Sequence, residues 1–118
     1  MDQRVQTVIN LMRDNTGRKL SLSAMAPLVN LSLSRLRYLF RAETGISPTQ
    51  YLRLIRMQQA KDLLETTFLS VKEIMNNIGV NDKSHFMREF KKIHGVTPAR
   101  YRTRLATSND APKSTENL

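Results

Sequence analysis

Phe40-Arg41-Ala42-Glu43-Thr44-Gly45-Ile46-Ser47-Pro48-Thr49-Gln50-Tyr51 returns fifty positions later as Phe90-Lys91-Lys92-Ile93-His94-Gly95-Val96-Thr97-Pro98-Ala99-Arg100-Tyr101. Six positions agree in type at identical spacing: Phe, Gly, Ile or Val, Ser or Thr, Pro, and Tyr. A short apolar segment precedes each copy, Ser21 to Val29 and Ser70 to Ile78, and here the displacement is forty-nine. The second copy therefore carries one extra residue at its turn. Self-similarity of this kind marks one supersecondary unit used twice.

Each copy predicts helix, tight turn, helix. In the second, Ser70 and Glu73 make a capping-box pattern, Val71, Ile74, Met75 and Ile78 keep helical spacing, and Gly79 supplies a left-handed stop. Asn81 or Asp82 then caps a helix whose apolar positions are Phe86, Phe90 and Ile93, ended by Gly95. In the first copy Ser21 caps a helix from Leu22 to Val29, kinked by Pro27, which lacks an N–H and crowds the carbonyl of Ser23. Asn30 stands where Gly79 stands later, as the non-glycine residue that best tolerates a left-handed backbone. Ser32 or Leu33 opens a helix to Thr44. Three or four residues between two short helices is helix-turn-helix spacing.

Working outward, Ser47 and Gln50 form a second capping box with Pro48 at the first helical position. The helix they start runs to about Glu65, and at roughly 1.5 Å per residue it spans about 27 Å as a stiff spacer. Val5, Val8, Ile9 and Met12 form an apolar stripe on a leading helix ended by Thr16-Gly17. Thr97 and Pro98 start a last short helix to about Leu105. The predicted fold is all-α: about seven helices in two homeodomain-like helix-turn-helix subdomains, 1–46 and 67–106, joined by a linker helix, 47–66. The polar segment 107–118 is predicted to be disordered.

Composition narrows the chemistry. The chain has 118 residues, 40% hydrophobic and 25% charged, which suits one ordinary folded domain. No cysteine is present, so a disulfide framework, a thiolate metal site and a cysteine nucleophile are excluded, and a reducing compartment is the natural home. His85 and His94 cannot build a metal cage alone, and no apolar run approaches the roughly 20 residues that span a bilayer. No phosphate loop, paired carboxylates or nucleophile with a base at recognisable spacing suggests an enzyme or a cofactor. The net charge is +9, with +4 in Asn30 to Ala60, +6 in Lys83 to Arg104 and −1 elsewhere. Two separate basic surfaces on so small a chain point to nucleic acid as the partner.

With the repeat, the Phe-x4-Gly-Ile-Ser-Pro-x2-Tyr ending and the central helix together, the chain resembles the DNA-binding domain of the AraC/XylS family of bacterial transcription regulators. The resemblance covers roughly Val5 to Arg104 and is most specific over Ser84-His85-Phe86-Met87-Arg88-Glu89-Phe90-Lys91-Lys92-Ile93-His94-Gly95-Val96-Thr97-Pro98-Ala99-Arg100-Tyr101. The chain departs from the family at Asn30, usually glycine, at Val80, usually aromatic, and at Met75, usually alanine. The resemblance implies a sequence-specific regulator, an activator, that places two recognition helices in adjacent major grooves and contacts RNA polymerase in the bacterial cytoplasm, at the nucleoid. It also implies an effector-binding domain outside this chain, or else a compact stand-alone regulator. A nonspecific architectural DNA-binding protein and a helical protein-interaction adaptor are the alternatives.

The helix faces select the contact residues. With Leu36, Leu39 and Phe40 inward, Ser34, Arg37, Tyr38 and Arg41 share the opposite face, with Arg35 beside them near the helix N-terminus. Arg37 can donate two parallel hydrogen bonds to guanine, and Ser34, Arg35 and Tyr38 are further base contacts. With Phe86 and Phe90 inward, Lys83, Ser84 and Met87 are base candidates, Met87 through a thymine methyl or else as a core filler at the helix edge. Arg41, Arg88, Lys91, Lys92 and Arg100 are assigned to phosphate, and Arg53, Arg56, Arg102 and Arg104 join them only as a cluster. His85 reads as structural. Helix N-termini at Ser32, Asn81 and Thr97 offer further N–H groups to phosphate oxygens.

Overall fold

The computed structural model describes residues 1–18 and 21–107, and among them every regular element is helical. Helices α1 (Gln3–Asp14) and α2 (Leu22–Met25), a 3-10 turn over Ala26–Val29, and α3 (Leu33–Thr44) precede the long α4 (Pro48–Thr66). Helices α5 (Val71–Ile78), α6 (Lys83–His94) and α7 (Pro98–Thr107) follow. The fold is all-α, with α2–α3 and α5–α6 forming two helix-turn-helix motifs. The chain divides into two compact units, Met1–Ile55 and a second beginning at Arg56, and the division falls inside α4.

The two motifs turn in the same way. After α5, Gly79 lies at φ 77°, its N–H bonds Asn76 O, and the next N–H, of Val80, reaches back to Met75 O at 2.9 Å. After the 3-10 turn, Asn30 lies at φ 59°, its N–H bonds Pro27 O at 3.1 Å, and Leu31 N–H reaches Ala26 O at 3.0 Å. Both are Schellman closures, in which a left-handed residue lets two orphan carbonyls find donors while the following apolar side chain folds back onto the core. Leu31 and Val80 do so. Asn30 thus takes the glycine role at a modest conformational cost, the departure the sequence flagged.

The repeated signature explains itself in the same terms. Gly45 and Gly95 are left-handed, and their N–H groups bond Arg41 O and Lys91 O, each at 2.8 Å. A Cβ at either glycine would meet nothing within 4 Å, so the backbone dihedral rather than space selects glycine there. Ser47 Oγ and Thr97 Oγ1 then accept from the N–H groups of Gln50 and Arg100, with Pro48 and Pro98 opening α4 and α7. The reversal returns Tyr51 edge-on to Phe40 at 5.3 Å between ring centroids and Tyr101 to Phe90 at 6.1 Å. The first and last aromatic of the signature are one packing pair, seen twice.

Each unit has its own core. Val5, Val8, Ile9 and Met12 of α1 pack with Met25, Ala26, Val29, Leu36, Phe40 and Ile55. In the second unit Met57, Ala60 and Leu64 of α4 pack with Ile74, Met75, Ile78, Phe86 and Phe90. Ile55 and Met57, two residues apart in one helix, therefore belong to different cores, and no single apolar stripe runs the length of α4. Tyr101 donates to the Glu65 carboxylate, and burial together with that carboxylate pushes its hydroxyl above the ordinary phenol range. Met75, where the family usually has alanine, is buried in this core.

Three local expectations change. The helix from Leu22 to Val29 is α-helical only to Met25; at Pro27, which has no N–H for the α ladder, the chain tightens into a 3-10 turn rather than kinking an α-helix. Helix α1 stops at Asp14, before Thr16-Gly17, because the Asn15 side-chain amide binds Leu11 O at 2.8 Å and its N–H turns to Met12 O. Helix α7 runs to Thr107, past Leu105, with the Thr107 hydroxyl donating to Thr103 O. The tail expected to be disordered, 108–118 beyond that helix, lies outside the described residues.

The capping box at α5 titrates. Ser70 N–H donates to Glu73 Oε1 at 2.9 Å while Glu73 N–H donates to Ser70 Oγ at 3.1 Å, and the Ser70 N–H, with the Ser70 hydroxyl beside it, holds the Glu73 carboxyl below its ordinary 4.5. A depressed carboxyl stabilises the fold fully above its ordinary value and loses that contribution as pH falls through 4.5 toward the lowered value. Glu73→Gln should therefore leave a shallower loss of stability on acidification below pH 5 than the parent chain shows. Denaturant midpoints measured across that range check it, and parallel acid limbs would contradict it.

Candidate nucleic-acid interface

The second helix of each motif exposes one polar, basic side. On α3, Leu36 and Phe40 are buried and Leu39 half-buried, while Ser34, Arg35, Arg37, Tyr38 and Arg41 are exposed. Ser32 starts the helix by accepting Arg35 N–H at 3.1 Å, which settles the choice between Ser32 and Leu33. The Arg35 guanidinium lies over the Tyr38 ring at 5.4 Å, a cation–π contact one turn apart. Tyr38 remains 64% exposed. A shallow recess opens beside it, lined by Arg37, Tyr38, Arg41 and Ala42.

On α6, Phe86 and Phe90 are buried, and Lys83, Ser84, Arg88, Lys91 and Lys92 are exposed. Met87 is half-buried, between the two roles its position allowed. Arg100 is exposed on α7. The fifty-residue displacement pairs Ser34 with Ser84, Arg37 with Met87, Tyr38 with Arg88 and Arg41 with Lys91. One position thus keeps a serine and one keeps a cation, while the two between them differ in chemistry.

Other expected contacts are redistributed. Asp82, not Asn81, caps α6, its carboxylate accepting His85 N–H at 3.0 Å. That carboxylate already occupies the positive end of the helix, so this N-terminus is a poor phosphate site. Arg102 is half-buried, and its guanidinium donates to Leu69 O and, at 3.1 Å, to Thr67 O. It ties the link between α4 and α5 to α7 and is not a phosphate clamp. The signal was absent from the sequence, where a long arginine stem leaves the head group's partner open. Arg56 is half-buried, its Nε without a partner, and burial lowers its guanidinium from the ordinary range. His94 stacks on Phe90 at 4.5 Å and its Nε2 donates to Met57 O at 3.1 Å, a structural role; His85 is exposed. Among the described residues no cluster of three or more His, Cys, Asp or Glu is placed to hold a metal, and no helix is long and apolar enough to cross a membrane.

A family described as a helix-turn-helix domain matches residues 25–104 of this chain. The arabinose operon regulatory protein of Escherichia coli is 36% identical over 103 residues, which cover 86% of this chain and 35% of that protein. Among solved structures, a transcriptional regulator from Chromobacterium violaceum described as AraC-type has a TM-score of 0.82 at 27% identity, covering 89% of this chain and 94% of that one. The DNA-binding domain of AdpA in complex with a target DNA has a TM-score of 0.79 at 27% identity, covering 86% and 91%. The chain spans about a third of the length of the curated relatives it matches.

Two of the three arginines of α7, Arg100 and Arg102, should separate by experiment. Arg102→Ala strands the carbonyls of Thr67 and Leu69 and should cost about 1–3 kcal/mol of stability. Arg100→Ala removes an exposed side chain and should stay within about 0.5 kcal/mol of the parent in urea unfolding. Equal losses would contradict the structural assignment of Arg102.

Proposed function

The chain belongs to the AraC/XylS family of transcription regulators, and from that premise we propose that it binds double-stranded DNA sequence-specifically, α3 and α6 entering adjacent major grooves. The observation that carries this is the exposed basic side on the second helix of both motifs, with Phe40, Phe86 and Phe90 turned inward. A groove about 12 Å wide admits one such helix, and its phosphate walls attract the cations that flank the reading side chains.

Arg37 is the principal base reader, with a guanidinium free to donate two parallel bonds to guanine. Ser34, Arg35 and Tyr38 on α3, and Lys83, Ser84 and Met87 on α6, complete the base contacts. Arg41, Arg88, Lys91, Lys92 and Arg100 grip phosphate. The position shared as Arg41 and Lys91 suits a contact that carries no sequence information, while the unlike pairs Arg37/Met87 and Tyr38/Arg88 suit the reading of unlike bases. The site is therefore asymmetric, read by one chain. The chain acts without catalysis, in the bacterial cytoplasm on nucleoid DNA, and activates transcription through contact with RNA polymerase.

Binding sites selected from random DNA test this directly. On the selected site Arg37→Ala should cost about 1–3 kcal/mol and relax preference at one base pair, whereas Lys91→Ala should weaken selected and random DNA alike. Affinity should fall roughly 10³–10⁵-fold between 50 and 200 mM salt if about 6–10 phosphates are engaged. Equal losses on both DNAs for Arg37→Ala would overturn the assigned roles, and no preferred sequence at all would leave an architectural binder.

A further inference from the structure

Beside Tyr38 the exposed side of α3 offers something other than hydrogen bonds. Its recess is framed by two one-turn pairs, Arg37 with Arg41 and Tyr38 with Ala42, and is walled almost entirely by carbon. The arginine stems supply methylene walls while their charged heads extend beyond them. Ala42 contributes only a methyl group to the lining one turn from Tyr38, and the Arg35 guanidinium lies over the Tyr38 ring at 5.4 Å. The tyrosine is thus held ready at little entropic cost.

An apolar notch on a groove-facing helix has few possible occupants. The major-groove edges of the four base pairs present donors, acceptors and one apolar group, the C5 methyl of thymine. Methylation of cytosine places the same group at the same carbon. From these observations we infer that the recess lined by Arg37, Tyr38, Arg41 and Ala42 is a subsite for the 5-methyl group of a pyrimidine, with Tyr38 as its specificity-determining residue. The inference rests on the DNA reading proposed above. The second motif supplies an internal contrast, because Arg88 and Lys92 stand fifty positions on from Tyr38 and Ala42, where charged side chains replace the apolar floor. Methyl recognition through a floor of this kind belongs to the first motif.

The test uses the whole chain and its selected DNA site, with each thymine in turn replaced by deoxyuridine, a change that removes only the methyl group. A thymine in the half-site read by α3 should prove sensitive, its replacement weakening binding about fourfold, the worth of one buried methyl. Cytosine at that position should bind more weakly than 5-methylcytosine by a similar factor; a gain for thymine alone would restrict the subsite to that base. Tyr38→Ala should abolish the methyl dependence, Tyr38→Phe should keep it, and Met87→Ala should leave it intact. A preferred site at which every deoxyuridine is neutral, or at which Tyr38→Ala leaves the dependence unchanged, overturns the subsite and spares the DNA reading. A pool that yields no preferred sequence overturns both.

Discussion

Four residues with positive φ, Asn30, Gly45, Gly79 and Gly95, govern the shape of the chain. Each ends a helical segment by offering its own or the next N–H to carbonyls that would otherwise lack donors. Without that reversal α3 could not fold back beside the segment before it, and Tyr51 and Tyr101 could not reach Phe40 and Phe90. Asn30 shows that the requirement is for a dihedral rather than for glycine as such. Its side chain is short enough to tolerate the left-handed region, where a β-branched residue would be strained.

Two small cores follow from those reversals. Neither half has the size at which burial alone gives comfortable stability, since domains of about 60 residues bury only about 60% of their unfolded surface. Helix α4 eases the problem by serving both: Tyr51, Leu52 and Ile55 pack with the first core and Met57, Ala60 and Leu64 with the second. Hydrogen bonding along one uninterrupted helix makes local unfolding of either end costly to its middle. Arg102 and the Tyr101–Glu65 contact add polar ties within the second unit, where α7 would otherwise rest on few apolar side chains.

Features with a local cause were legible in the sequence. The caps at Ser21, Ser32, Ser47 and Ser70, the stops at Gly45, Gly79 and Gly95, and the buried faces of α1, α3 and α6 each depend on residues within a turn or two. Features that depend on distant partners were not. Met57 escaped notice because it packs in the second core while Ile55, two residues earlier on the same helix, packs in the first. Arg102 looked like every other cation, since only the fold brings the carbonyls of Thr67 and Leu69 to it. On the candidate interface the exposed cations were readable as a face, but the stacking of Arg35 on Tyr38 depends on rotamers, which spacing does not encode.

The fifty-residue register has one more consequence. Phe, Gly, Pro and Tyr, the residues shared by both copies, build the scaffold, whereas Arg37, Tyr38 and Arg88 extend from exposed positions that support none of it, and Met87 only in part. On the DNA reading proposed above, mutation at these positions would rewrite what either half recognises at almost no cost to folding. A duplicated reader of this construction is free to drift toward new targets one half at a time, keeping a working grip through the unaltered half while the other explores.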